Sequence, residues 1–351
     1  MKDQSVILSK CRKKERYDNN MDKYVCKIPV ALFIFKRKDT VLRIIERISE
    51  VKPPKVYLLG DEGRNDRERQ LVSECRAAIE KAIDWDCEII RNYASENRGV
   101  YKNIGCGAKW VFEREERCIF IEDDNLPEAT FFRFCEELLE KYNDNDDVLW
   151  VCGTNYLAEY SSSAGDSYMF TKHLLPCGWA SWNKKFLKYY DGEFENLKKD
   201  GGVQKLKESY IGSKLFDQQY YCMRKEMFLK KVRGKYASWD YQMAFSVRFF
   251  GKYGISPCKN QIQNIGADNF SEHGGTSLTK TMTRRFCGVP SYPMEFPLKH
   301  PENVQIDPIY EKKIEKIIRL PVGLRMKNKA KRLFMRILGK EDVMPFSMLK
   351  K

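Results

Sequence analysis

Residues 118–127 read Cys118-Ile119-Phe120-Ile121-Glu122-Asp123-Asp124-Asn125-Leu126-Pro127. Four apolar residues run directly into three carboxylates, as a buried strand ending in a charged turn would. Working outward, Val30 to Phe35 is a second apolar run, followed by Lys36, Arg37, Lys38 and Asp39. Val41, Ile44, Ile45 and Ile48 then recur at helical spacing, with Asp39 or Thr40 placed to cap. Strands are predicted at 55–59, 87–92 and 118–121, and helices over 66–83 and through Trp110. Leu71, Cys75, Ala78, Ile79 and Ala82 mark the buried face of the 66–83 helix. Alternating strands and helices imply crossover units, and so an α/β fold whose mainly parallel sheet carries helices on both faces.

In such sheets ligands gather beyond the carboxyl ends of the strands. The residues there are Lys36 and Arg37, Gly60 and Asp61, Ala94 to Arg98, and Glu122 to Asp124. Three adjacent carboxylates repel one another unless a cation or hydrogen-bond donors offset them. A hard divalent ion held by one or two carboxylates and substrate phosphates would do so. A solvated turn capping the helix announced by Pro127, Phe131, Phe132, Phe134 and Leu138 is the plainer alternative.

The stretch resembles GT-A-fold glycosyltransferases, particularly bacterial polysaccharide-type enzymes and related N-acetylglucosaminyltransferases with a Glu-Asp-Asp version of the Asp-x-Asp motif. The resemblance runs from about Pro29 to Thr276. It implies that Asp124 binds Mn2+ (or Mg2+) bridging the diphosphate of a nucleotide sugar, a UDP-sugar being favoured, while Glu122 and Asp123 face the ribose and base. Phe33-Ile34-Phe35-Lys36-Arg37 resembles the family's first-strand signature, with Lys36 where Asn is usual. Asp61 resembles the acidic residue that reads the nucleobase. Glu96-Asn97-Arg98-Gly99 resembles the turn before the helix under the nucleotide, which implies binding by Asn97 and phosphate contacts by Arg98 or Lys102.

The second half is expected to serve the acceptor. In Pro176-Cys177-Gly178-Trp179-Ala180-Ser181-Trp182, small residues permit close backbone approach and Trp offers a flat apolar face for a sugar ring. The motif resembles the Gly-Trp-Ala-Ser/Thr-Trp of the same enzymes, which implies that Gly178, Trp179 and Trp182 lie beside donor sugar and acceptor. A core role for the tryptophans is the alternative. Ser238-Trp239-Asp240-Tyr241-Gln242 opens an apolar helical run. An Asp among aromatics is a credible general base, a helix cap is the alternative, and the resemblance favours Asp240 as catalyst beside Trp239. Asp191 and Glu272 compete. His273, in the Gly-rich 264–276 stretch, is a candidate second metal ligand.

The reaction so implied is inverting sugar transfer from a nucleoside-diphosphate sugar to a hydroxyl of a glycan or lipid-linked acceptor in surface polysaccharide synthesis. A sugar nucleotidyltransferase is the enzyme rival. Its phosphate-cradling Gly-rich loop is not found at Phe35-Lys36-Arg37-Lys38-Asp39-Thr40, and a dinucleotide-binding dehydrogenase fails there too, lacking G-x-G-x-x-G.

The 351 residues, 42 % apolar and 13 % aromatic, suffice for a core and exclude a disordered chain. Lys and Arg number 63 against 49 Asp and Glu, a net +14. That surplus alone would suit a non-catalytic nucleic-acid binder. Divided along the chain, however, +9 falls in 311–351 and +3 in 1–25, leaving +2 for the body. A basic arm (1–25), a catalytic domain (26–310, with a nucleotide-sugar half to 155 and an acceptor half from 156) and a basic tail (311–351) are expected, without a nucleic-acid partner. In the tail, Met326, Ala330, Leu333, Phe334, Ile337 and Leu338 recur at helical spacing among Arg325, Lys327, Lys329, Lys331, Arg332 and Arg336. This is the pattern of an interfacial helix on anionic lipid, each basic group contributing about 1 kcal/mol. A helix packed back on the domain is the alternative. Twelve scattered cysteines, no signal sequence and no apolar run of about 18 residues predict reduced thiols in a cytoplasmic protein, peripheral at most on the membrane's cytoplasmic face.

Overall fold

A computed structural model describes residues 24–267 and 277–349. Its centre is an eight-stranded sheet of order β3-β2-β1-β4-β8-β6-β9-β7. The strands are β1 (Val30–Ile34), β2 (Lys55–Gly60), β3 (Glu88–Tyr93), β4 (Arg117–Glu122), β6 (Val148–Cys152), β7 (Tyr168–Thr171), β8 (Trp179–Trp182) and β9 (Tyr253–Pro257). A separate pair joins β5 (Asn125–Pro127) to β10 (Ile262–Asn264). β3, β2, β1 and β4 are parallel. β8 is wedged antiparallel between β4 and β6, and β6 and β9 are again parallel. The mainly parallel α/β architecture expected from the sequence is therefore present.

Every residue of β1 is buried, as a continuous apolar run covered on both faces requires. Its alternate residues feed two cores. Val30, Leu32 and Ile34 face one that includes Val41, Ile44, Ile45 and Ile48 of the helix Lys38–Ser49. Ala31 and Phe33 face a second, aromatic core with Phe120, Trp150 and Trp179. Each such aliphatic side chain, fully buried, contributes roughly 1.5–3 kcal/mol.

The helix after β1 begins at Lys38, with Arg37 rather than Asp39 or Thr40 at its cap. The Thr40 hydroxyl donates to the Arg37 carbonyl at 3.1 Å. The chain turns early because Asp123 accepts the Phe35 N–H at 3.1 Å. The 66–83 helix spans Asp66–Ala82, capped by Asn65, and buries Val72, Cys75 and Ile79, leaving Leu71 half-buried.

The tail is built onto the body. Helix Pro308–Ile318 buries Tyr310, Glu311 and Ile314. Glu311 accepts from the Thr171 hydroxyl at 2.6 Å. Helix Val322–Ile337 follows, with Met335 its buried residue. Among the described residues no helix is long and apolar enough to cross a membrane, and the eleven described cysteines are free thiols.

Candidate active site

The carboxyl ends of β1, β2 and β4 open into a cavity of about 610 Å³. Its floor is the acidic strand end. β4 lies beside β1 with Glu122 opposite Phe33, so the chain leaves the sheet at Glu122 and presents Asp123 and Asp124 to the cavity. Arg37 answers them. Its Nη1 lies 2.5 Å from Asp124 Oδ2 and 3.5 Å from Asp123 Oδ1. Desolvation, then the charges of Asp124, Asp123 and Asp240, push the Glu122 carboxyl well above its ordinary range against the pull of Arg37.

β10 closes the floor from the far side. Ile265 N–H donates to the Asp124 carbonyl at 2.8 Å, and a Cβ on Gly266 would stand 2.2 Å from Asp124 Oδ2. Only glycine lets this loop come so close. His273 and Glu272 lie outside the described residues.

Asp240, the first residue of helix Asp240–Phe249, stands in the cavity wall with Trp239 and Ser238. The Ser238 hydroxyl donates to Asp240. Trp239 tops a column of rings. It lies 5.7 Å from Trp179, which stacks at 4.0 Å on Phe120 and 4.1 Å on Trp150.

Asp61 and Asn97 line the cavity, but as a holder and the held. Asp61 accepts the N–H groups of Glu62 (2.9 Å), Arg98 (2.8 Å) and Gly99 (2.9 Å) and the Asn97 amide (3.1 Å). Four donors fill a carboxylate's acceptor positions, leaving none for a base. Arg98 is turned inward onto Asn92 and Asn103, with Nη1 3.0 Å from Asn92 Oδ1 and Nε 3.0 Å from Asn103 Oδ1. Neither it nor the exposed Lys102 lines the cavity.

The Gly-Trp motif departs most from the sequence expectation. Gly178, Trp179 and Trp182 do not line the cavity. Trp179 and Trp182 are three residues apart on one strand, so they point to opposite faces of the sheet. Trp179 enters the aromatic core. Trp182 enters the other core, its indole N–H donating to the Leu139 carbonyl at 2.8 Å. Gly178 has φ +60° and no room for a Cβ, which would meet Ile262 at 2.5 Å. Pro176 and Cys177 reach the cavity in their place. Asp191 is a turn-former that accepts from Glu195 N–H (2.9 Å) and Asn196 N–H (2.8 Å).

Several cavity residues carried no sequence signal. Arg64 grips Glu68 at 2.6 Å, and Lys36 reaches the same carboxylate at 2.7 Å. Lys225 and Glu226 come from helix Ser213–Arg233. Asn125, 1 % exposed in the cavity wall, has an Nδ2 without a hydrogen-bond partner among the described residues.

These residues fit a divalent cation and an oxygen-rich ligand. Asp124 and Asp123 are hard oxygen donors, burial and the charges of Asp124, Asp123 and Asp240 raise the Glu122 carboxyl beside them, and the Asn125 Nδ2 has no hydrogen-bond partner among the described residues. Among the described residues no group of three or more His, Cys, Asp or Glu that could hold a metal is present.

No protein-family model matches the sequence, and no curated protein matches it. Among solved structures, the chain is similar to a mannosyltransferase from Pyrobaculum calidifontis in complex with GDP-Man and Mn2+. That likeness has 13 % identity, covers 65 % of this chain and 70 % of the other, and has a TM-score of 0.35. A glucosyl-3-phosphoglycerate synthase from Mycobacterium tuberculosis, in complex with Mn2+, UDP and glucosyl-3-phosphoglycerate, is 10 % identical over 45 % of this chain and 57 % of its own, at 0.28. A UDP-glucose pyrophosphorylase complexed with UDP-glucose is 10 % identical over 68 % of this chain and 93 % of its own, at 0.35.

Proposed function

We propose that the protein is a metal-dependent glycosyltransferase that moves a sugar from a nucleoside-diphosphate sugar, a UDP-sugar by preference, to a hydroxyl of a glycan or lipid-linked glycan in surface polysaccharide synthesis. The observation that carries this reading is the sharing of one cavity by two kinds of carboxylate. An acidic strand end, where burial and the neighbouring carboxylates raise the Glu122 carboxyl, shares the cavity with a separate Asp240 at a helix start. The first suits a diphosphate held through a metal, the second a proton acceptor.

Asp124 would hold Mn2+ or Mg2+, with His273 as second ligand. The ion, when bound, supplies Lewis-acid neutralisation of a departing diphosphate. Arg37 sits where it can exchange the Asp124 carboxylate for a phosphate oxygen, and Arg64 and Lys36 add positive charge beside it. The Asn125 amide offers a donor to a sugar or phosphate oxygen. Asp240 would take the acceptor's hydroxyl proton as that oxygen attacks the anomeric carbon opposite the leaving group, inverting its configuration. Trp239 gives the acceptor side an apolar wall braced by Trp179.

A panel of nucleotide sugars with Mn2+, scored for thermal stabilisation and slow donor hydrolysis, tests the reading. One donor that stabilises the protein and is hydrolysed supports it. No response from any donor, or pyrophosphate release from a sugar 1-phosphate and a nucleoside triphosphate, would replace it with a different activity.

A further inference from the structure

Helix Val322–Ile337 is joined to the body along one edge and apolar along the other. At about 100° per residue, Val322, Met326, Leu333, Phe334 and Ile337 fall within a sector of about 120°. Met335 lies roughly opposite. Burial follows that division. Met335 is 0 % exposed, while Val322, Leu333 and Ile337 are 64 %, 60 % and 74 % exposed. The joined edge is specific. Met335 is buried, and the following Val343 packs with Phe228 and Leu229 of helix Ser213–Arg233. Asp342 binds Arg224 and Arg336 at 2.7 Å each.

The helix is thus held with its apolar sector turned outward. Phe346 extends that sector, lying 6.0 Å from Phe334, with the Lys331 ammonium over its ring at 4.8 Å. Around it stand Arg325, Lys327, Lys329, Lys331 and Lys340, with Arg332 and Arg336 paired to Asp342 on the joined edge, and residues 322–340 contain no Asp or Glu.

We infer that this helix is a docking element for an anionic lipid bilayer, its apolar sector entering the headgroup boundary and its flanking lysines and arginines meeting lipid phosphates. Charge complementarity selects that occupant. Two copies of the chain meeting through this face would bring two uniformly basic stretches together. An outward apolar sector bordered on both sides by basic residues is the arrangement that binds anionic interfaces. The helix packs on the domain through one edge, as the second alternative from the sequence has it, and leaves the other edge exposed for the first. The inference does not depend on the sugar chemistry.

Co-sedimentation of the full chain with vesicles tests it. One set is phosphatidylcholine alone, the other has about a third phosphatidylglycerol. The expected result is binding to the anionic vesicles only, weakened by salt. Met326→Asp with Ile337→Asp should lower the bound fraction roughly tenfold, and Lys327→Gln with Lys329→Gln by a similar factor. These side chains are exposed, so melting temperatures should stay at the wild-type value. Wild-type protein that ignores anionic vesicles, or variants that bind as well as wild type, would overturn the inference. A wild-type dimer in light scattering that Ile337→Asp dissolves would reassign the face to self-association.

Discussion

Glu226 accepts the backbone N–H of Ser238 at 3.0 Å. It also accepts that of Ala237 at 2.7 Å. Two residues later the chain reaches Asp240, so a carboxylate on one helix fixes the entry to another. Glu226→Ala should lower kcat roughly tenfold to a hundredfold, with donor KM changed by less than about threefold, because the loss is one of positioning. Glu226→Gln keeps an acceptor oxygen and should restore most of the rate. Equal loss in both variants would assign Glu226 a direct role instead.

Asp240→Asn removes the proposed proton acceptor while keeping its shape. Transfer should fall by about 10²- to 10⁴-fold, with nucleotide-sugar binding intact by calorimetry. Full activity in this variant would move the base elsewhere.

Asp124→Ala should abolish Mn2+-dependent thermal stabilisation by the nucleotide and lower turnover at least about a hundredfold. EDTA should do the same to the wild type, and Mn2+ should reverse it. Nucleotide binding unchanged by chelation would separate this cavity from metal chemistry.

Trp182→Ala should destabilise the fold by roughly 3–5 kcal/mol, the range for a large aromatic removed from a core, as read from denaturant unfolding. Trp239→Ala, 4 % exposed in the aromatic core at the cavity wall, should likewise cost roughly 3–5 kcal/mol and in addition raise the acceptor KM in the protein that remains folded.

His173 gives a pH test. Arg248 Nη2 donates to its Nδ1 at 3.1 Å, and its Nε2 lies 3.0 Å from the Glu311 carbonyl oxygen. The ring is therefore neutral, with its proton on Nε2, and its approach to the Glu311 carboxylate is no ion pair. Burial, then Arg248, lower its pKa to about 3, below the unfolded value of about 6.5. The unfolded chain takes up the proton first, so the stability is complete above that value and drains away as pH falls toward 3. Burial raises the facing Glu311 carboxyl, which opposes this loss at lower pH. Melting temperature measured from pH 7 to 5 should drop by a few degrees, and His173→Gln should flatten the slope.

The first half of the fold was legible because its signals are local. Val41, Ile44, Ile45 and Ile48 declare a helix face, and all four are buried. The acidic triplet announced the cavity because charges so placed need a partner. The tryptophan motif misled because composition suggested sugar binding, while the parity of positions 179 and 182 on a strand already put the two rings on opposite faces. Helix Ser213–Arg233 escaped notice for a different reason. It packs on several sides at once, burying Leu215, Phe216, Met223, Phe228 and Leu229, so no single apolar stripe marks it. Lys225 and Glu226 were hidden with it.

That same helix sets Lys225 and Glu226 toward the cavity and Arg224, Phe228 and Leu229 toward the tail. Both duties are written in one angular phase. A single residue inserted before Arg224 would turn every later side chain by about 100°, unseating the Val322–Ile337 helix and loosening the Asp240 loop together. The proposed catalytic loop and the proposed docking helix thus hang on one helical register.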